Sequence, residues 1–343
     1  MTFSPLRLVP TLTLGLMSLP VAAGLAGTAI PAFANGGDAF ARLFAWPGLP
    51  HATALSLGTG LASTALSLAL AILIIAGFSG TPVFRQIRRL LAPLLSVPHA
   101  AAALGLAFLI APSGWIARAL SPEVTGWENP PNIYILNDFF GISLTLGLIS
   151  KELPFLLLMA LAALPQIDAD RRLTLAATLG YGRIAGFGLT VLPALYRQLR
   201  LPIYAVLAYA MTSVEMAMIL GPTLPPTLSA QIVVWMSDPS LTQRDVAAAG
   251  ALVQFGLDHA ALLLWRLAEA GAKWLLLRWS WQGRRGAALD LPLRLSAMTA
   301  TLVFGGGLTL GLAGLALWSV AGLWQFPDAL PQSISLKTWA IAL

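Results

Sequence analysis

Residues 52–77 read ATALSLGTGLASTALSLALAILIIAG, a stretch of 26 residues without one ionisable side chain. A helix rises about 1.5 Å per residue, so some 20 apolar residues cross the ~30 Å hydrocarbon core of a bilayer. In lipid each backbone N–H and C=O must find its partner within the segment, and a helix achieves this for a run of this kind. Six further stretches meet the same standard: 6–33, 91–111, 139–164, 201–220, 246–265 and 295–317. About seven spans follow, and the fold class is all-α, a polytopic transmembrane helical bundle.

The composition agrees. Of 343 residues, 57% are hydrophobic and 10% charged, where a soluble chain carries about 25% charged residues. The net charge of +6 is no sign of nucleic acid, because the arginines cluster in short loops between apolar runs. The chain has no cysteine, which excludes disulfides, thiolate metal sites and cysteine nucleophiles. His51, His99 and His259 lie far apart, without the spacing of metal ligands. Arg7, the run after it and Ala32-Phe33-Ala34 resemble a secretory leader with its cleavage site. Six more spans follow, so the reading adopted is a retained first helix.

Loop charge sets the orientation. With the N-terminus in the cytoplasm, 15 basic residues fall on the inner side: Arg7, the group at Arg85, Arg88 and Arg89, five between Arg171 and Arg200, and six between Arg266 and Arg294. The outer side holds four, Arg42, Arg118, Arg244 and Lys337, and Lys151 lies within a span. Such asymmetry is the positive-inside pattern. A missed or invented span would invert every later loop, so the asymmetry also supports the number seven. The outer loop 123–138 holds Trp127, Asn129-Pro130-Pro131-Asn132 and Tyr134, suited to the membrane surface. Residues 268–281 mix apolar side chains with Lys273 and Arg278 and read as an amphipathic helix on the inner leaflet.

A faint internal echo is present. The first span leads to Phe40, Trp46 and Pro47, and the seventh to Trp324, Phe326 and Pro327. The expected organisation is a first repeat over 1–286 and the start of a second, incomplete one over 287–343.

The loop between the fourth and fifth spans carries the functional signal. Asp168 and Asp170 are placed to cap a helix beginning near Ala169. Ala176 and Ala177 give that helix a slim surface for another protein to approach. Gly180 and Gly182 permit a sharp turn, and Pro193 closes a second short helix. Nine residues separate Gly180 from Thr190-Val191-Leu192-Pro193. Over 168–193 this spacing resembles the "EAA" loop of permeases from ATP-binding-cassette importers. Ala176, Gly180, Leu192 and Pro193 stand at matching positions, while Thr174 replaces the family's Glu, Leu175 its first Ala, and Thr190 an aliphatic residue. Thr212-Ser213-Val214-Glu215 followed by Gly221-Pro222 looks like the acidic pattern these permeases carry in the next span. The run Lys151-Glu152-Leu153-Pro154-Phe155 and the stretch Leu220-Gly221-Pro222-Thr223-Leu224-Pro225-Pro226-Thr227-Leu228 look like fused two-repeat permeases of the thiamine type.

The resemblance implies a MetI-like, type I importer architecture. It implies that Thr174, Ala176, Ala177, Gly180, Leu192 and Pro193 form the coupling site for separate cytoplasmic ATPase subunits. An extracytoplasmic substrate-binding protein would deliver the solute, and a second permease repeat, in the same longer chain or a dimer partner, would complete the path. The chain itself would be no enzyme and bind no cofactor, ATP being used by the partner. No Gly-Lys-Ser/Thr phosphate loop occurs in the sequence.

Lys151, Glu152, Glu215 and Asp258 fall within spans, each costing about 2.5–3.5 kcal/mol at a helix centre. Lys151 and Glu152 diverge by about 100° on a helix, and Pro154 removes the bond to the Ser150 carbonyl, predicting a kinked polar patch. Lys151, Glu152 and Glu215 are the candidates for lining a translocation path. The alternative is a structural lock in which Lys151 pairs with Glu215 or Asp258. A different class of function, an ion-coupled secondary transporter, also suits intramembrane acids but leaves the cytoplasmic loop unexplained. Three acids against one lysine lean toward a cationic solute such as thiamine.

Overall fold

The computed structural model describes residues 8–34 and 36–342. Arg7 and the start of the 6–33 span lie outside the described residues. Sixteen α-helices follow in order: α1 Leu8–Phe33, α2 Asp38–Ala45, α3 Leu49–Phe78, α4 Pro82–Ser96, α5 His99–Ile110, α6 Trp115–Leu120, α7 Ile142–Ala163, α8 Ala169–Thr178, α9 Arg183–Gly186, α10 Leu192–Thr212, α11 Val214–Leu220, α12 Leu228–Met236, α13 Leu241–Trp281, α14 Asp290–Thr301, α15 Gly307–Ser319 and α16 Lys337–Ala342. Among the described residues six helical stretches are long and apolar enough to cross a membrane, and a bent pair, counted as one span, makes a seventh. The chain is an all-helical, multi-pass membrane protein.

The centre is α3 packed on α7 and α10. Ser56, Gly60, Ser63, Ser67, Ala71, Ile74 and Phe78 recur at three- and four-residue intervals on α3, and all are buried. Small residues on one stripe let helix backbones approach closely, which in lipid stands in for a hydrophobic drive. The same device joins α15 to α5. A methyl group on Gly105 would lie 3.0 Å from the Gly311 carbonyl carbon, inside ordinary contact distance. By contrast α1 is apolar along its length, yet its membrane-crossing window buries none of its residues.

Three expectations need correction. The third span begins at His99, not at residue 91: Leu91–Ser96 completes the amphipathic α4, and the chain breaks at Val97-Pro98 because proline disfavours helix in the residue before it. The fifth span is broken, bending 50° between residues 183–212 and Val214–Leu220. The fourth span runs as one helix through Pro154 to Ala163. Residues 268–281 are no separate surface helix but the last third of the 41-residue α13, about 60 Å long at 1.5 Å per residue.

Candidate functional site

At the end of the bundle that loop charge assigns to the cytoplasm, α8 packs against α9. It starts at Ala169, with Asp168 in the left-handed conformation at φ 49°. The Asp168 carboxylate was expected to cap this helix, but its side chain makes no cap hydrogen bond. Arg172 fixes the base of the loop instead, donating from Nε to the Ile167 carbonyl at 2.8 Å and from a terminal nitrogen to the Thr190 carbonyl at 3.1 Å. Beyond Thr178 the chain reverses: the Gly180 and Tyr181 amides return to the carbonyls of Ala177 and Ala176. Gly180 holds φ +79°, a region that side chains bearing a Cβ resist. Gly182 is required for space rather than for its dihedral, since a Cβ there would sit 2.7 Å from the Ala287 Cα.

The two alanines do not share a surface. Ala176 is buried against Gly186, while Ala177 faces out with Thr174, Leu175, Thr178 and Leu179. Leu175 and Leu179 are 57% and 63% exposed, an apolar ridge on a helix otherwise solvated. Pro193 does not close a second short helix. Residues 183–212 run as one helix with a π-turn over Phe187–Val191, and Leu192 and Pro193 lie just after it. Proline has no N–H to donate back to the preceding turn, which fits a local change of winding here. A cavity of about 550 Å³ opens beside α8, lined in part by Ser79, Phe84, Arg88, Asp170 and Phe187.

In mid-membrane the charges of α7 are both buried. Glu152 accepts hydrogen bonds from the Ser63 and Ser67 hydroxyls of α3, each at 2.9 Å. Lys151 turns the other way and pairs with neither Glu215 nor Asp258. Its ammonium donates to the carbonyls of Leu94 at 2.9 Å and Val97 at 2.7 Å, at the junction of α4 and α5. The C-terminal end of a helix carries unpaired carbonyls and partial negative charge, so an ammonium belongs there. Asp258 accepts from Gln254 at 2.8 Å, and Gln254 also donates to the Met211 carbonyl beside the break in the fifth span. Glu215 is exposed in the first turn of α11, just past that break. The half-buried His99 ring lies 4.8 Å from that of Tyr209, on the same side of the bundle.

The chain is similar to an ABC transporter permease. Over 228 residues it is 30% identical to the inner membrane ABC transporter permease protein YnjC of Escherichia coli K12, a match covering 65% of this chain and 43% of YnjC. The chain thus spans less than half the length of this curated relative. No family model matches it.

Beside that likeness to YnjC, the structure places Thr174, Ala176 and Ala177 on α8, Gly180 in the turn after it, and Leu192 and Pro193 at the start of α10. It does not bring Lys151, Glu152 and Glu215 together: Glu152 bonds to α3, Lys151 to the α4–α5 junction, and Glu215 sits on another helix. Sequence reasoning missed Arg172, Arg183 and Asp290, which hold the corner in place. Arg183 donates from Nε to the Ala76 carbonyl at 2.8 Å and also bonds the carbonyl and hydroxyl of Ser79, capping α3. It missed the hydroxyls of Ser63 and Ser67 as well, although their four-residue spacing on an apolar helix was a legible signal.

Proposed function

We propose that the chain is the inner-membrane permease portion of an ATP-driven ABC importer of the MetI-like type, with α8 as its coupling helix. The observation that carries this reading is the exposed ridge of Leu175 and Leu179 on a short helix braced from behind. A contiguous apolar patch rimmed by polar residues marks a surface that a partner covers, and Leu175 and Leu179 lie one turn apart beside Thr174 and Thr178. The partner is a cytoplasmic ATPase, which receives α8 by shape, Thr174 standing where the family's acid would be. The similarity to YnjC supports the same class. A binding protein delivers solute outside, membrane lipid surrounds the bundle, and a second permease repeat faces this one, the boundary between repeats falling near residues 286 and 287.

Within this reading Glu215, exposed beside the break in the fifth span, is the acid best placed to meet solute. Lys151 and Glu152 hold the backbone around the path. A small cation such as thiamine suits an acidic, aromatic-flanked position, with Tyr209 and His99 nearby. The test is Gly180→Val. A β-branched residue at φ +79° costs about 1–3 kcal/mol of strain and displaces the ridge. ATP-dependent uptake should fall at least tenfold while the protein still inserts. Full uptake in that variant would remove α8 from the coupling role, and uptake that collapses with an uncoupler but survives ATP depletion would favour an ion-coupled carrier.

A further inference from the structure

The helix that re-enters the membrane after α8 starts at Arg183 with no side chain of its own to cap it. Its N-cap is Gly182, and the neighbouring Ala287 backbone leaves no room there for anything larger. The first helical amides of a span still need acceptors. They find one carboxylate, 107 residues further along the chain. Asp290 accepts from the Arg183 amide at 2.6 Å on Oδ2 and from the Ile184 amide at 2.9 Å on Oδ1. Asp290 also occupies the first turn of α14, so two helix N-termini, each partially positive, converge on one acid. The Gly182 amide donates to the Arg285 carbonyl at 2.8 Å, closing the same joint from the other side. Through the Arg183 guanidinium the joint reaches the C-terminal carbonyls of α3.

We propose that Asp290 is a positioning residue that locks the coupling corner to α14, so that a displacement of α8 moves α14 and α15 together with α3. The inference rests on α8 being a coupling helix. Its consequence is specific. The continuous helical stretch of residues 287–319 becomes a second lever driven from the cytoplasm, joined to α5 where Gly105 meets Gly311. At its outer end Arg118, 5% exposed, donates to the Gln325 carbonyl at 2.8 Å and ties the segment after α15 back to α6. A lever needs a fixed joint at each end, and these are the two joints.

The chain has no cysteine, so a pair of spin labels can be placed without background, at Thr178→Cys on α8 and Ser296→Cys on α14. The full chain is purified with the ATPase that co-purifies with it, and the distance is read by pulsed electron resonance before and after ATP with vanadate. With Asp290 present the distance should stay fixed, because the two helices move together. In Asp290→Ala it should shift or broaden on ATP binding, and in Asp290→Asn, which keeps one acceptor oxygen, it should change less. Amide exchange at Arg183 and Ile184 should quicken at least tenfold in Asp290→Ala without nucleotide. An equal ATP-driven change with and without Asp290, or unchanged exchange, would overturn the proposal. If no ATPase co-purifies with the unsubstituted chain, the coupling reading of α8 fails, and the exchange measurement still decides whether Asp290 holds the joint.

Discussion

The centre of α7 and the corner at Arg183 solve one problem by different means. At Lys151 and Glu152 the charges lie where lipid and protein exclude water, and each must be satisfied completely by a fixed neighbour. Two serines of one helix serve the acid, and carbonyls at a helix junction serve the ammonium. At the corner the ionisable groups are only partly buried, and they bond to helix ends. The first arrangement fixes the packing of α3 and α7. The second fixes the relative placing of three helix termini beside water, so that they move as one body. The bonds of mid-membrane hold the packing of the bundle, and those of the corner hold one helix end to another.

The largest test of this contrast removes both serines. Ser63→Ala with Ser67→Ala leaves Glu152 buried without side-chain donors, and an unsatisfied buried acceptor costs about 1–3 kcal/mol or more when charged. The detergent-solubilised protein should melt several degrees lower, and adding Glu152→Gln should restore part of the loss. An unchanged melting temperature would mean that Glu152 does not depend on α3. Next comes Lys151→Met, which deletes charge-assisted bonds worth about 1.5–3 kcal/mol. Proteolysis near Val97 should accelerate as the α4–α5 junction loosens; equal cleavage rates would contradict the capping role.

Arg183→Ala should cost less stability, on the order of 1 kcal/mol, because water can reach the carbonyls it leaves. Its effect should appear in ATP-dependent uptake rather than in melting. A variant that melts early but transports normally would reverse the contrast. The smallest effect is expected from Thr174→Glu, which supplies the acid found in the related loops. Thr174 is exposed and its hydroxyl bonds only within its own helix, to the Asp170 carbonyl. The stability change should lie within about 0.5 kcal/mol, with uptake retained. Loss of uptake would show that the partner's groove has adapted to the neutral residue.

Much of the fold was legible because hydropathy and loop charge act residue by residue. The 52–77 run announced α3, and the spacing from Gly180 to Pro193 marked the corner before any coordinates. The 41-residue length of α13 was not legible, because the pattern of hydrophobicity does not say whether a helix continues past its span. The start of the third span at His99 was signalled by Pro98, and the hydropathy of the run alone concealed it. The partners of Lys151 were beyond reach for another reason. Backbone carbonyls occur at every position, and only the junction of two helices turns those of Leu94 and Val97 toward one point.

The sequence by itself determined that the chain crosses the membrane about seven times, which stretches do so, and that a Gly-turn loop stands on one side. These follow from the transfer of side chains and backbone between water and lipid, an energy each segment carries alone. Only the tertiary structure decided that Ala176 faces inward, that Glu152 belongs to Ser63 and Ser67, and that Asp290 caps a helix begun 107 residues earlier. Those pairings arise where helix ends and small-residue stripes meet, and their energy exists only once distant segments are packed together.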